Sequence, residues 1–115
     1  MATEELVYCT SVIAGADLSD KQFYYVTLNT SGKIVLAGAG ESGLGILQDR
    51  PALGQVGSVG RVGKSMVIYG AEVTAKQNLT PNASGKLVPA IANDAVVAMA
   101  AESGSAGEIR SVYLR

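Results

Sequence analysis

Gly70-Ala71-Glu72-Val73-Thr74-Ala75-Lys76-Gln77, continuing through Asn82-Ala83-Ser84-Gly85-Lys86-Leu87-Val88-Pro89-Ala90, repeats wording already used in the first half of the chain. There, Gly15-Ala16-Asp17-Leu18-Ser19-Asp20-Lys21-Gln22 leads to Asn29-Thr30-Ser31-Gly32-Lys33-Ile34-Val35-Leu36-Ala37. The two copies stay in step further on, where Gly54-Gln55-Val56-Gly57-Ser58-Val59 answers Gly107-Glu108-Ile109-Arg110-Ser111-Val112. The offset is 55 residues at Gly15/Gly70 and 53 at Gly32/Gly85 and Gly54/Gly107. One two-residue difference, placed after the Lys-Gln pair, accounts for both values. A constant offset over so long a stretch marks a duplicated unit, and a duplication constrains the fold before any local reading does. The units run from about residue 15 to 60 and from 70 to 113.

Each unit reads as β. Leu6 to Ile13 is rich in strand formers and stops at Ala14-Gly15. Phe23 to Leu28 is the most emphatic strand, Asn29-Thr30-Ser31-Gly32 a turn, and Lys33 to Ala37 its return. Leu44 to Gln48 is a short strand. Gln55 to Val62 alternates apolar with small or polar residues, the period of a half-buried strand, and Ser65 to Tyr69 is a further strand. In the second copy Asn78-Leu79-Thr80 with Pro81 replaces the aromatic strand, Ala95 to Ala100 repeats the short one, and Glu108 to Leu114 closes the chain. The Ala-rich run from Ala90 to Ala101 is where a helix competes, but its partner in the first copy carries three glycines. The expected fold is all-β, a small barrel or sandwich built from two hairpin-rich units as one domain over residues 14–115. Residues 1–13 are either an extended N-terminal arm or the first strand, with Met1 to Glu5 a polar tail.

Composition narrows the function. The 115 residues carry a net charge of −1, no His, no Trp and a single cysteine. Scattered Lys and Arg give none of the basic stripe that nucleic acid requires. One cysteine allows neither an internal disulfide nor a cysteine-based zinc site. No apolar run reaches the roughly 18 residues of a membrane span, and the acidic N-terminus is unlike a signal peptide. Without His, Ser–His and Cys–His nucleophile activation are both closed. Asp17 and Glu72 occupy equivalent positions and read as caps for turn amides rather than an acid pair.

Two motif-like strings mislead. Gly38-Ala39-Gly40-Glu41-Ser42-Gly43 fits a dinucleotide loop, but no helix follows and the acidic residue such a site needs is missing. Ser58 to Ser65 approaches a phosphate loop with Ser58 where the first Gly belongs, and it continues as strand. The sequons at Asn29, Asn78 and Asn82 read as turn chemistry. Tyr24-Tyr25 reads as one buried and one exposed ring. Nothing here supports catalytic, cofactor-binding or metal-binding residues, and an enzyme is not expected.

The pattern G-A-[DE]-[LV]-[ST]-x-K-Q, then S-G-K-[IL]-V, a short apolar strand and G-[QE]-[VI]-x-S-V resembles the small capsid decoration (cement, head-stabilising) proteins of tailed bacteriophages. The resemblance covers nearly all of the chain after Ala14. It implies a compact β-fold assembled as homotrimers on the outer surface of an expanded head. There such a protein joins neighbouring major capsid subunits, having been made in the bacterial host cytoplasm; nucleic acid and membrane are not partners. It also implies that the N-terminal segment reaches the shell, which in this sequence gives that role to Leu6, Val7, Tyr8, Cys9 and Thr10. Those residues suit strand addition at an exposed sheet edge. Two other function classes remain: a β-module that binds carbohydrate or a host cell surface and, weakest, a small-molecule enzyme, which would need a pocket with convergent polar groups.

Overall fold

A computed structural model describes residues 5–91 and 94–114. The described residues form nine strands and no helix: β1 (Glu5–Ile13), β2 (Tyr25–Leu28), β3 (Ile34–Leu36), β4 (Gly45–Leu47), β5 (Val56–Ile68), β6 (Asn78–Pro81), β7 (Leu87–Pro89), β8 (Ala98–Ala100) and β9 (Ile109–Leu114). The strands make one antiparallel sheet in the order β3-β2-β4-β5-β9-β8-β6-β7, with β1 added against β5. This sheet curls into an open half-barrel. Among its described residues the Ala-rich run supplies only the three-residue strand β8. The expected break between Val62 and Ser65 is absent, because β5 runs through both as one 13-residue strand.

The duplication is copied in the hydrogen-bond register. Val26↔Leu36 and Leu28↔Ile34 in the first unit match Leu79↔Pro89 and Pro81↔Leu87 in the second. Leu47↔Val59 matches Ala100↔Val112. Thr10↔Val59 matches Ser65↔Val112, so the latter half of β5 is to β9 what β1 is to the first half of β5. Strand β5 therefore closes one unit and opens the next.

The offset changes earlier than the wording suggests. Leu18 N–H donates to Pro51 O and Val73 N–H to Gly104 O, an offset of 55. Phe23 N–H donates to Leu47 O and Lys76 N–H to Ala100 O, an offset of 53. Phe23 and Lys76 also share an unusual positive φ, 71° and 78°. The extra two residues thus lie between Leu18 and Phe23, and the two Lys-Gln pairs are not structural equivalents.

Each unit has its own core, drawn from the same positions. Ala14, Leu18, Val26, Ile34, Leu47 and Val59 pack in the first. Tyr69, Val73, Leu79, Leu87, Ala100 and Val112 pack in the second. Tyr25, Ala37 and Ile46 cross from the first unit into the second core and tie the two together. A fully buried Leu, Ile or Val contributes roughly 1.5–3 kcal/mol, so strands of three or four residues survive only through this shared burial.

The hairpin turns follow from the Asn-x-Ser-Gly-Lys wording. Asn29 Oδ1 accepts from the amides of Ser31 (2.9 Å) and Lys33 (3.0 Å), and Asn82 Oδ1 does the same for Ser84 and Lys86. Gly32 and Gly85 supply the left-handed residue each turn needs, at φ 75° and 80°. The sequons at Asn29 and Asn82 are therefore turn residues, whereas Asn78 opens strand β6.

Candidate functional site

Of the five residues assigned to shell contact, all lie in β1, and their backbone pairs with β5 of the same chain. Glu5 faces Lys64, Leu6 faces Gly63, Tyr8 faces Val62, Cys9 faces Gly60 and Thr10 faces Val59, with bulges on either side of Tyr8. Residues 5–13 thus form a strand of the sheet here; the tail residues Met1 to Glu4 lie outside the described residues. The side chains of Cys9, Ser11 and Ile13 are exposed, while Thr10 and Val12 are half-buried and Val12 packs on the first core. That alternation is what a strand with one covered face must show.

Among the described residues β1 has no strand partner other than β5. Its outer edge is closed only at the C-terminal end, where Ala14 bridges to Ile34. Ala14 N–H donates to Gln55 O at 2.8 Å, which fixes the parity of the ladder. Residues 10 and 12 then bond to β5, and the main-chain groups of Cys9 and Ser11 point away from it. What β1 offers is an open backbone edge, with an exposed thiol at Cys9 along the strand.

A concavity of about 460 Å³ lies between the two units and is lined by Tyr25, Ser42 to Gly45, Arg61, Val62, Val96, Val97 and Leu114. Tyr25 is 4% exposed, and its hydroxyl accepts from the Gly43 amide at 3.0 Å. Burial pushes the Tyr25 phenol pKa up, opposed by the Gly43 amide and Arg61. Val62 and Val96 stand exposed at the rim. Among the described residues, the lining has one cation, Arg61, and no carboxylate.

The second polar cluster is structural. Tyr69 is fully buried and donates to Glu102 O at 2.8 Å, and Arg110 contacts the carboxylates of Glu108 (2.9 Å) and Glu102 (3.8 Å). Asp49 holds the Ser58 amide in the first unit just as Glu102 holds that of Ser111 in the second. Asp17 Oδ1 accepts from the Ser19 amide, and hydrogen bonds from the Ser19 side chain and main chain hold its carboxyl below the usual range. Asp17 thus caps a turn as expected. Tyr25 is the buried ring of the tyrosine pair, and the half-buried Tyr24 lies under Lys21 Nζ at 5.1 Å. Among the described residues no three potential metal-ligating side chains cluster.

Sequence reasoning missed the open outer edge of β1, because periodicity shows that a strand exists but not which neighbour it takes. It also missed the cleft, whose lining comes from both units.

No family model matches the chain, and no curated protein sequence matches it. Among solved structures the fold is similar to that of the head fiber gp8.5 N base of bacteriophage phi29. The two share 16% identity, with a TM-score of 0.74, over 94% of this chain and 93% of that one. At that identity the likeness shows the fold: an all-β architecture that a phage head fiber base also adopts.

Proposed function

We propose that this chain is a structural virion protein, not an enzyme, that binds the outer surface of an expanded phage capsid. It steadies contacts between major capsid subunits and acts as trimers. The observation that carries this reading is the fold shared, over nearly the full length of both chains, with the base of a phage head fiber. The repeated phrases that resemble capsid decoration proteins support it independently.

In this reading the shell is engaged through β1. The strand is already paired to β5, so its contribution is not a free arm but an open edge from Leu6 to Thr10, to which a capsid strand adds. Three such edges held together bind by valency, with no single edge binding tightly.

The experiment is co-sedimentation of purified protein with expanded heads lacking it, comparing wild type, Cys9→Pro and Cys9→Ser. Proline removes an outward N–H without touching the ladder to β5 and is tolerated at sheet edges. Cys9→Pro should lose shell binding at least tenfold while keeping its melting transition, and Cys9→Ser should bind as wild type. Full binding by Cys9→Pro would refute the β1 contact.

A further inference from the structure

The contact between the two units is one-sided. The second unit's Asn82–Lys86 turn lies on the first unit, where Gly85 O accepts the Tyr25 amide at 2.8 Å. A Cβ on Gly85 would stand 3.0 Å from Tyr25 O and 3.2 Å from Leu36 Cδ2, so the turn is in close contact there. Beside it Gly40 N–H donates to Pro81 O (2.9 Å), and Gly40 O accepts from Ala95 N–H (3.2 Å). The first unit thus presents a socket of Tyr25, Leu36 and Gly40, and the second a plug of Pro81, Gly85 and Ala95.

The duplication builds the plug again, exposed, and repeats the socket's Tyr25 and Leu36 positions as an exposed Asn78 and a half-buried Pro89. The plug equivalent on the first unit is Leu28 and Gly32, carried by a turn with the same Asn hydrogen bonds and the same φ. Among the described residues nothing lies within 4 Å of a Cβ placed on Gly32, and Leu28 is 46% exposed where its equivalent Pro81 is buried. The socket equivalent on the second unit is Asn78 and Pro89. Asn78 is exposed where Tyr25 is buried, and the neighbouring Ile91 is 74% exposed. An exposed large apolar side chain therefore marks each unused half.

We infer that the Leu28–Gly32 plug of one copy seats on the Asn78–Pro89–Ile91 socket of another. The hydrogen bonds of the joint inside the chain are made by main-chain groups, which both units carry whatever their side chains. A contact between different surfaces of identical chains is heterologous: every copy keeps one free plug and one free socket until a ring closes. The inference identifies the surface used for the self-association in the proposed function. Its test needs only purified protein, so its failure leaves the shell contact standing.

The test is sedimentation velocity over a concentration series with wild type, Leu28→Glu and Ile91→Glu, each checked for an unchanged melting transition. Wild type should associate, and each variant alone should associate at least ~tenfold more weakly, a loss of about 1.4 kcal/mol. Mixed together, the two variants should form a dimer that grows no further, since Leu28→Glu keeps its socket and Ile91→Glu its plug.

A covalent check uses a short bis-maleimide in a Cys9→Ser background. One copy carries Ser31→Cys and a differently tagged copy Pro89→Cys. Only mixed cross-links should form. Wild type that stays monomeric throughout, variants that associate normally, or like–like cross-links as abundant as mixed ones would each overturn the inference.

Discussion

The two units share register, turns and core positions, yet they are buried differently. The first has Ala14 where the second has Tyr69, both fully buried. The first leaves its Gly32 turn open, while the second packs the same turn on its neighbour. The second core also takes Tyr25, Ala37 and Ile46 from the first unit, in addition to its own set. Duplication fixed the hydrogen-bond pattern; divergence at a few buried positions then made the second unit the deeper one. The difference teaches that a repeat's backbone is conserved by its turns and that its individuality lies in what covers it.

The largest test of this asymmetry is Tyr69→Ala, which makes the second unit resemble the first at that position. A buried aromatic cut to Ala costs about 3–5 kcal/mol. The Glu102 carbonyl also loses its hydroxyl donor. Chemical denaturation should show the loss as a lower midpoint with an unchanged slope. A cost under about 1 kcal/mol would mean that the second core is not the deeper one.

A smaller effect compares Gly70→Ala with Gly15→Ala. A Cβ on Gly70 would meet Asn82 Nδ2 at 2.5 Å and Val88 Cγ1 at 2.9 Å. On Gly15 the nearest atoms are Asn29 Nδ2 at 2.9 Å and Lys33 Cβ at 3.1 Å. Overpacking costs about 1–3 kcal/mol, and the Gly70 variant should lie toward the upper end and the Gly15 variant toward the lower. Equal costs would erase this part of the comparison.

The smallest effect is read in alkali. Burial, and then the nearby Glu102 carboxylate, push the Tyr69 phenol up to about 12, against the opposing pull of Arg110. A folded-state value above the unfolded one, about 10, gives stability that is intact below pH ~10 and lost as pH rises toward ~12. Tyr69→Phe should flatten this limb, leaving the shallower dependence due to Tyr25. An unchanged limb in the Phe variant would show that Tyr69 does not titrate late.

Much of this was legible in the sequence, for a physical reason. The turns are held by side chains acting on their own backbone, as Asn29 and Asn82 do, so local wording suffices to find them. The position of the two extra residues was not legible. Two identical Lys-Gln pairs draw an alignment together, whereas the structure matches Phe23 to Lys76 by backbone angle and carbonyl partner. The continuity of β5 was hidden by Gly63 and Lys64, which read as a break but lie within one strand. For the candidate site, Leu6 to Thr10 could be recognised as strand formers, but their pairing with β5 depends on partners far along the chain, from Thr10↔Val59 to Leu6↔Gly63. The bare and covered turns of the inter-unit joint share the same words, so no local reading separates them.

The most direct test of the central claim is where this chain migrates when its native lysate is sedimented through a density gradient. The account predicts that it travels with megadalton phage heads and leaves them only when the shell is dissociated. A chain found wholly at the top of the gradient, beside heads that sediment without it, would contradict the account.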